Sequence, residues 1–415
     1  MNDRTNTPAT RREFLAAGAA SAFASRAVPP TPDDPPAPVE VPTMKAKTEA
    51  RSGPPPAPLP PGKRLGFAVV GLGELALHEV LPAFGRCQYA RPTALVSGHR
   101  DKAEKVADQY GIGRDHIYGY NDFDRIADDA SVDVIYIILP NSMHREFTVR
   151  AAKAGKHVLC EKPMANSVAE CEEMIAACTR AERLLMIAYR CQYEPHHREM
   201  IRLARSGEFG PIRLIEATNG QNQGPADQWR HKKALAGGGS LPDVGIYCLN
   251  AARYITGEEP IRITAQIETD TSDPRFREVE DRIGFQLHFP SGIRASCETF
   301  YSAHESRRCR VLAESGWIDM DPAFPYHGLR LRTSRAEGKS DRITEIRLAE
   351  KDQFATEIDH MARRVADGIR PHTPGEEGLQ DIRIIEAIYR AAREGKAVEL
   401  PAAGRKDATR GPAPT

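Results

Sequence analysis

The chain carries no net charge, its 57 basic residues being matched by 57 acidic ones among 415. That balance gives no electrostatic case for binding nucleic acid or an anionic membrane surface. Beyond the amino-terminal leader no segment reaches roughly 18 uninterrupted apolar residues, so nothing in the mature chain belongs in a bilayer. The eight cysteines (Cys87, Cys160, Cys171, Cys178, Cys191, Cys248, Cys297 and Cys309) form no CxxC pair and no zinc-like Cys/His spacing. They are expected to be free, mostly buried thiols, with no metal site among them. The length fits two domains at about 150 residues each.

What is present begins with TRREFLAAGAASAFASRA. Adjacent Arg11 and Arg12, a short apolar run and an A-x-A-like site at Ala22 to Ala24 match a twin-arginine export signal over residues 1–27, with cleavage after Ala24 or Ala27. The expectation is a periplasmic protein, carried out folded, whose transient partner is the twin-arginine translocase. Residues 28–62 then hold 13 of the 32 prolines. Such a stretch forms extended polyproline-like chain, either a spacer or an arm laid across a neighbouring subunit.

From Lys63 apolar strand runs alternate with helical periods, the pattern of a parallel, doubly wound sheet. GFAVVG, TALVS, VDVIYIIL, HVLC and LLMIAY read as buried strands, with helices starting near Glu74, Asp101, His144 and Ser167. After Tyr189 come helices near His196–Arg205 and Val244–Ile255, then amphipathic strands such as IRITAQIETD, RIGFQLHF and GIRASCETF. Helices over Gln353–Ala366 and Glu376–Glu394 close the pattern. The expected fold class is α/β: a dinucleotide-binding Rossmann domain (63–188), an α+β domain with a large, mostly antiparallel open sheet (189–400), and a disordered tail (401–415).

Four stretches carry chemistry. In GFAVVGLGELA, Gly71 and Gly73 lead from a strand to a helix near Ala76, where backbone amides and the helix amino end can receive a pyrophosphate. TALVSGHRDK ends the second strand without the acidic residue that NAD-specific sites use; Ser97, Arg100 and Lys102 there favour the 2′-phosphate of NADP. HVLCEKPMA puts Lys162 at a strand end, where open α/β sheets place their ligand crevice. AGGGSLPDVGIYCLN sets Asp243 and Tyr247 four residues apart at a helix start. Alone these two read more readily as a helix cap and a core aromatic. With a hydride acceptor and a lysine to favour the phenolate of Tyr247, they make a metal-free alcohol dehydrogenase constellation.

These motifs, with YIILPNSMH, YRCQYEP and GLQDIRIIEAIYRAA, resemble the Gfo/Idh/MocA family, and within it the glucose-fructose oxidoreductases, from Gly66 to Glu394. The resemblance implies Lys162, Asp243 and Tyr247 as catalytic residues, Tyr247 standing where many relatives have histidine. It implies a cofactor site of Gly71, Leu72, Gly73, Glu74, Leu75, Ala76, Ser97, Arg100, Lys102, Leu139, Pro140, Asn141, His144, Glu161, Lys162 and Arg190, with Trp229 and Arg230 lining the cleft. Tightly bound NADP, a ping-pong cycle oxidising an aldose such as glucose and reducing a ketose such as fructose, and a homo-oligomer, tetramer or dimer, follow as expectations. Gln192 and Glu194 stand where that branch is expected to have His and Asp, which leaves the sugar pair open. The same fold also hosts NAD(P)-dependent sugar or cyclitol dehydrogenases, NAD-dependent glycosidases and catalytically dead nucleotide-sensing proteins.

Overall fold

The computed structural model describes residues 64–414; the leader and the Pro-rich arm lie outside the described residues. Six parallel strands, β1 (Leu65–Val70), β2 (Ala90–Val96), β3 (Ile117–Tyr118), β4 (Val134–Ile137), β5 (His157–Glu161) and β6 (Leu185–Ala188), form one sheet in the order β3-β2-β1-β4-β5-β6. Their near-continuous burial is what a parallel sheet covered on both faces requires. The crossovers include a helical turn Ala76–Val80 continued by α1 (Leu81–Phe84), then α2 (Arg100–Tyr110), α3 (His144–Lys153) and α4 (Val168–Arg180). The order reverses between β1 and β4, which puts a crevice at the carboxyl ends of those neighbours.

The second sheet has nine strands: β7 (Ile212–Gly220), β8 (Arg262–Glu268), β9 (Arg282–His288), β10 (Arg294–Phe300), β11 (Ser306–Ala313), β12 (Gly316–Met320), β13 (Leu331–Glu337), β14 (Ser340–Ile346) and β15 (Val398–Glu399). All pairs are antiparallel except β7 with β10, so the sheet is mostly antiparallel, as the sequence suggests. The alternation of the strands does not single out β7, yet β7 lies at the centre of the sheet. Its IRLIEATNG sets exposed Glu216 between buried Ile215 and Ala217, while exposed Arg213 and buried Asn219 blunt the apolar contrast. Helices α5 (Pro195–Arg205), α6 (Lys233–Ala236) and α7 (Ile246–Thr256) belong to this half.

Two expectations on domain limits need correction. Helix α8 (Gln353–Asp367), placed by sequence in the second domain, packs Phe354, Ile358 and Met361 into the core that Phe67, Val69 and Leu81 build around the first sheet. Its amphipathic face finds apolar sheet there, and burial decides. Helix α9 (Gly375–Glu394) touches both α4 and β8 and so joins the two halves.

Nor is the tail disordered as expected. The Asp407 amide donates to Gly257 O (2.8 Å), the Gly411 amide to His372 O (3.1 Å), and the Arg410 guanidinium stacks 3.6 Å from the Tyr254 ring centroid while pairing with Glu377. The tail covers a charge cluster of α7 and α9. Fully buried Arg253 donates to Glu259 Oε2 (2.7 Å) and Glu377 Oε1 (2.8 Å) and contacts Asp381. An arginine so deeply buried is tolerated because its donors are met by carboxylates.

Candidate active site

The carboxyl ends of the parallel strands bring the nucleotide motifs together: Gly71 to Ala76 after β1, Ser97 after β2, Leu139 to Asn141 after β4, Glu161 and Lys162 after β5, Arg190 after β6. Gly71 has φ +95°, and a Cβ there would lie 2.3 Å from Ile138 O, so only glycine lets β1 turn this close to β4. A Cβ on Gly73 would meet nothing within 4 Å. That open space in front of a helix amino end is the cradle a pyrophosphate needs, so the residues fit a dinucleotide. Gly73→Val should therefore fold with a nearly unchanged melting temperature but lose bound nucleotide, read from what denaturation releases; full occupancy would place the cradle elsewhere.

Several residues expected to touch cofactor also hold protein partners. The Arg100 guanidinium donates to Ile117 O (2.9 Å), Arg114 O (3.0 Å) and Glu104 (2.9 Å). Ser97 and Lys102, whose ammonium reaches Leu72 O (3.2 Å), lie at the same edge. His144 is fully buried between Leu139 O and Pro163 O, and the Asn141 amide donates to Ala236 O (2.8 Å). Both brace the loops. Glu161 accepts from the Tyr136 hydroxyl (2.9 Å), and burial raises its pKa.

Lys162, Asp243 and Tyr247 converge. Asp243 lies in a turn, Leu241–Gly245, that runs directly into α7. The Lys162 ammonium donates to Asp243 O (2.8 Å) and Oδ1 (3.3 Å) and sits 4.8 Å over the Tyr247 ring. Asp243 Oδ2 accepts from Arg230 (3.0 Å) and from the Tyr301 hydroxyl (2.6 Å). Burial works against the charge of Asp243, but Arg230, Lys162 and that hydroxyl outweigh it and hold the carboxyl far below the usual carboxylate range. Arg230 stacks 4.7 Å from the Trp229 ring, so these two cleft residues join the site through Asp243.

The cation at the Tyr247 hydroxyl is not Lys162, as expected, but Arg190, whose Nε donates to it at 3.2 Å. Gln353 on α8 and Phe324 O fix the same guanidinium, at 2.5 and 2.7 Å. Burial raises the Tyr247 phenol above its ordinary value despite the pull of Arg190 and Lys162, so the phenolate is not favoured at rest. Lys162 is itself disfavoured by burial, yet Tyr247, Asp243 and Glu161 lift its pKa and keep it charged.

Tyr301, Gln353 and Glu280 escaped the sequence reading because each approaches from far along the chain. Glu280 accepts the Gly239 and Leu241 amides (2.8 and 3.0 Å), and a Cβ on Gly239 would lie 2.0 Å from Glu280 O. The glycine run thus packs closely against protein, Gly239 on Glu280, Gly238 on Tyr389 and Gly237 on Asn166. All eight cysteines are free and buried. Among the described residues no His/Cys/Asp/Glu group could hold a metal ion, and no helix is long and apolar enough to cross a membrane.

Residues 65–189 match the family model described as an oxidoreductase family with an NAD-binding Rossmann fold, and residues 197–319 match the GFO/IDH/MocA C-terminal domain. The chain is 32% identical over 344 residues to the D-xylose 1-dehydrogenase [NADP(+)] of Haloarcula marismortui, covering 80% of this chain and 92% of that one. A dTDP-3,4-didehydro-2,6-dideoxy-alpha-D-glucose 3-reductase of Actinomadura kijaniata is 27% identical over 327 residues, 79% of this chain and 95% of that one. Among solved structures, the aldose-aldose oxidoreductase of Caulobacter crescentus complexed with glycerol is 50% identical, with a TM-score of 0.78, covering 81% of this chain and 100% of that one.

Proposed function

The chain belongs to the Gfo/Idh/MocA family and is an NAD(P)-dependent sugar oxidoreductase, and from that premise we propose an exported enzyme that keeps its NADP through two coupled half-reactions. An aldose is oxidised to its lactone, and a second sugar is then reduced to the polyol. The observation that carries this reading is the convergence of Lys162, Asp243 and Tyr247 at the nucleotide edge of the first sheet. The resemblance to glucose-fructose oxidoreductases suggests a ketose such as fructose as acceptor. The 50% identity to an aldose-aldose oxidoreductase favours a second aldose instead.

Bound NADP supplies a nicotinamide that takes a hydride from one sugar and returns it to the next. The protein supplies the rest. Asp243, charged and held by Arg230 and Lys162, accepts from sugar hydroxyls and orients the reacting carbon. Tyr247 takes the hydroxyl proton in oxidation and gives it to the carbonyl oxygen in reduction. An export route for folded proteins lets the chain leave with nucleotide inside, and outside there is no pool to exchange with. Tight retention and regeneration by a second sugar follow, with the Pro-rich arm as a strap over the nucleotide or across a neighbouring subunit.

The test is to denature the purified protein, identify the nucleotide released, and then supply native protein with one aldose and no free nucleotide. Lactone and alditol in equal amounts are expected, with fructose as a competing acceptor. Lactone formation that proceeds only with added NADP would reduce the protein to a cofactor-exchanging dehydrogenase. On the nucleotide choice, Ser97→Asp should raise occupancy by NAD at the expense of NADP, because a carboxylate repels a 2′-phosphate and accepts from a ribose diol. Unaltered NADP occupancy would move the discriminating contact elsewhere.

A further inference from the structure

Beside Tyr247 lies a small cavity lined by Lys162, Cys191, Gln192, His197, Tyr247 and Phe324, among others. It has room for a single water molecule. His197 is 5% exposed; its Nδ1 meets Glu194 Oε2 at 2.9 Å, while Nε2 has no hydrogen-bond partner. Gln192 Oε1 is buried and unpartnered as well. Buried polar atoms are seldom left unsatisfied, so two around one cavity ask for an explanation. Cys191 lines the same cavity as His197 and directly follows Arg190, which holds the Tyr247 hydroxyl.

Resting on the sugar oxidoreductase reading, we propose that Glu194, His197 and Cys191 form a buried proton relay beside Tyr247, joined to its hydroxyl through one water in this cavity. The need for it arises at the phenol: a tyrosine that keeps its proton at rest can act as an acid at once, but to serve as a base it must first pass that proton on. In the forward step the phenol O–H bond breaks, water transfers the proton, and an S–H bond forms on the Cys191 thiolate, so negative charge moves from sulfur to phenolate. The reverse transfer restores the thiolate. His197, held protonated by Glu194, balances the charge on sulfur throughout.

The electrostatics agree. Burial opposes charge on both partners, yet His197 and Arg190 pull the Cys191 thiol down, and Cys191 and Glu194 push His197 up to about 10. Burial also opposes the charge of Glu194, but hydrogen bonds from His196 and His197 keep it ionised. The other titratable groups facing the relay are Lys162 and Glu161 from the end of β5, Tyr247 on α7, Cys309 on β11 and Glu357 on α8. Glu194, His197 and Cys191 are positioning residues; they act through Tyr247.

Two measurements on the holoenzyme test this. The ultraviolet absorbance of wild type minus Cys191→Ser should contain a thiolate signal at neutral pH, which His197→Gln abolishes. No thiolate signal below the pH of an ordinary thiol overturns the relay, whatever the sugar chemistry. Single-turnover reduction of the bound nucleotide by an aldose should vary little with pH in wild type. In Cys191→Ser and His197→Gln it should rise by about tenfold per pH unit, the slope of a phenol that must lose its proton to solvent. Variants that keep a flat profile also overturn the relay. An absent aldose reaction in wild type counts against the function reading alone, while the thiolate signal still decides the relay.

Discussion

Tyr247→Phe is expected to lower turnover about 10³-fold, or about 4 kcal/mol in the barrier, while leaving bound nucleotide and melting temperature nearly unchanged. The loss is confined to one oxygen. Phenylalanine keeps the ring that packs on Phe324 and takes the Lys162 and Arg190 cations on its faces. Arg190 loses its Nε acceptor but stays held by Gln353 and Phe324 O. The site thus survives without its proton carrier. Stopped-flow reduction of the bound nucleotide, beside the nucleotide content of both proteins, separates chemistry from binding. Activity within about threefold of wild type would move the acid/base role to another group.

Arg253→Met should cost about 3–5 kcal/mol of folding stability, far from any reacting atom. Removing this fully buried guanidinium leaves Glu259, Glu377 and Asp381 facing one another, with Arg410 the nearest remaining cation. The loss should depend on pH in a definite sense. Burial raises Asp381 to about 6 even beside Arg253, so the folded chain keeps a proton there that the unfolded chain, with a carboxyl pKa near about 4, has released. Its contribution to stability is therefore full below about pH 4 and is lost as the pH rises through about 6. Without the arginine the carboxyls are pushed higher still, and the deficit of the variant should be smaller at about pH 4 than at neutral pH. Urea titrations at the two pH values check this, and an equal deficit at both would assign the loss to packing.

The sequence is most legible where function depends on local geometry. The Gly71 turn, the break at Ser97 and the EKP lysine each sit at the end of one strand, so neighbours in the chain are neighbours in the site. Apolar runs with helical spacing between them likewise give the parallel sheet. Legibility fails where the decisive contact is distant. The hold of Arg190 on the Tyr247 hydroxyl is hidden in sequence because Gln353, which anchors it there, lies 163 residues away. Tyr301 ends a strand of ordinary alternation, and only the sheet brings its hydroxyl 2.6 Å from Asp243. Strand β7 hides because its inward face includes an asparagine, whose amide is satisfied by Val244 O at 2.9 Å. The tail reads as disordered because its arginine and aspartate lack apolar neighbours in sequence, whereas in space they seal a buried charge cluster.

The return of α8 to the first sheet bears on how the protein is made. A ribosome emits the strands of the nucleotide half within the first 188 residues, yet the core that α1 and α2 begin on one face of that sheet is completed only when Phe354, Ile358 and Met361 emerge. The guanidinium beside the Tyr247 phenol acquires its Gln353 anchor at the same late moment. The nucleotide half therefore cannot mature as a free-standing unit during synthesis. A nascent chain halted short of residue 353 lacks both that part of the core and the Gln353 anchor of Arg190.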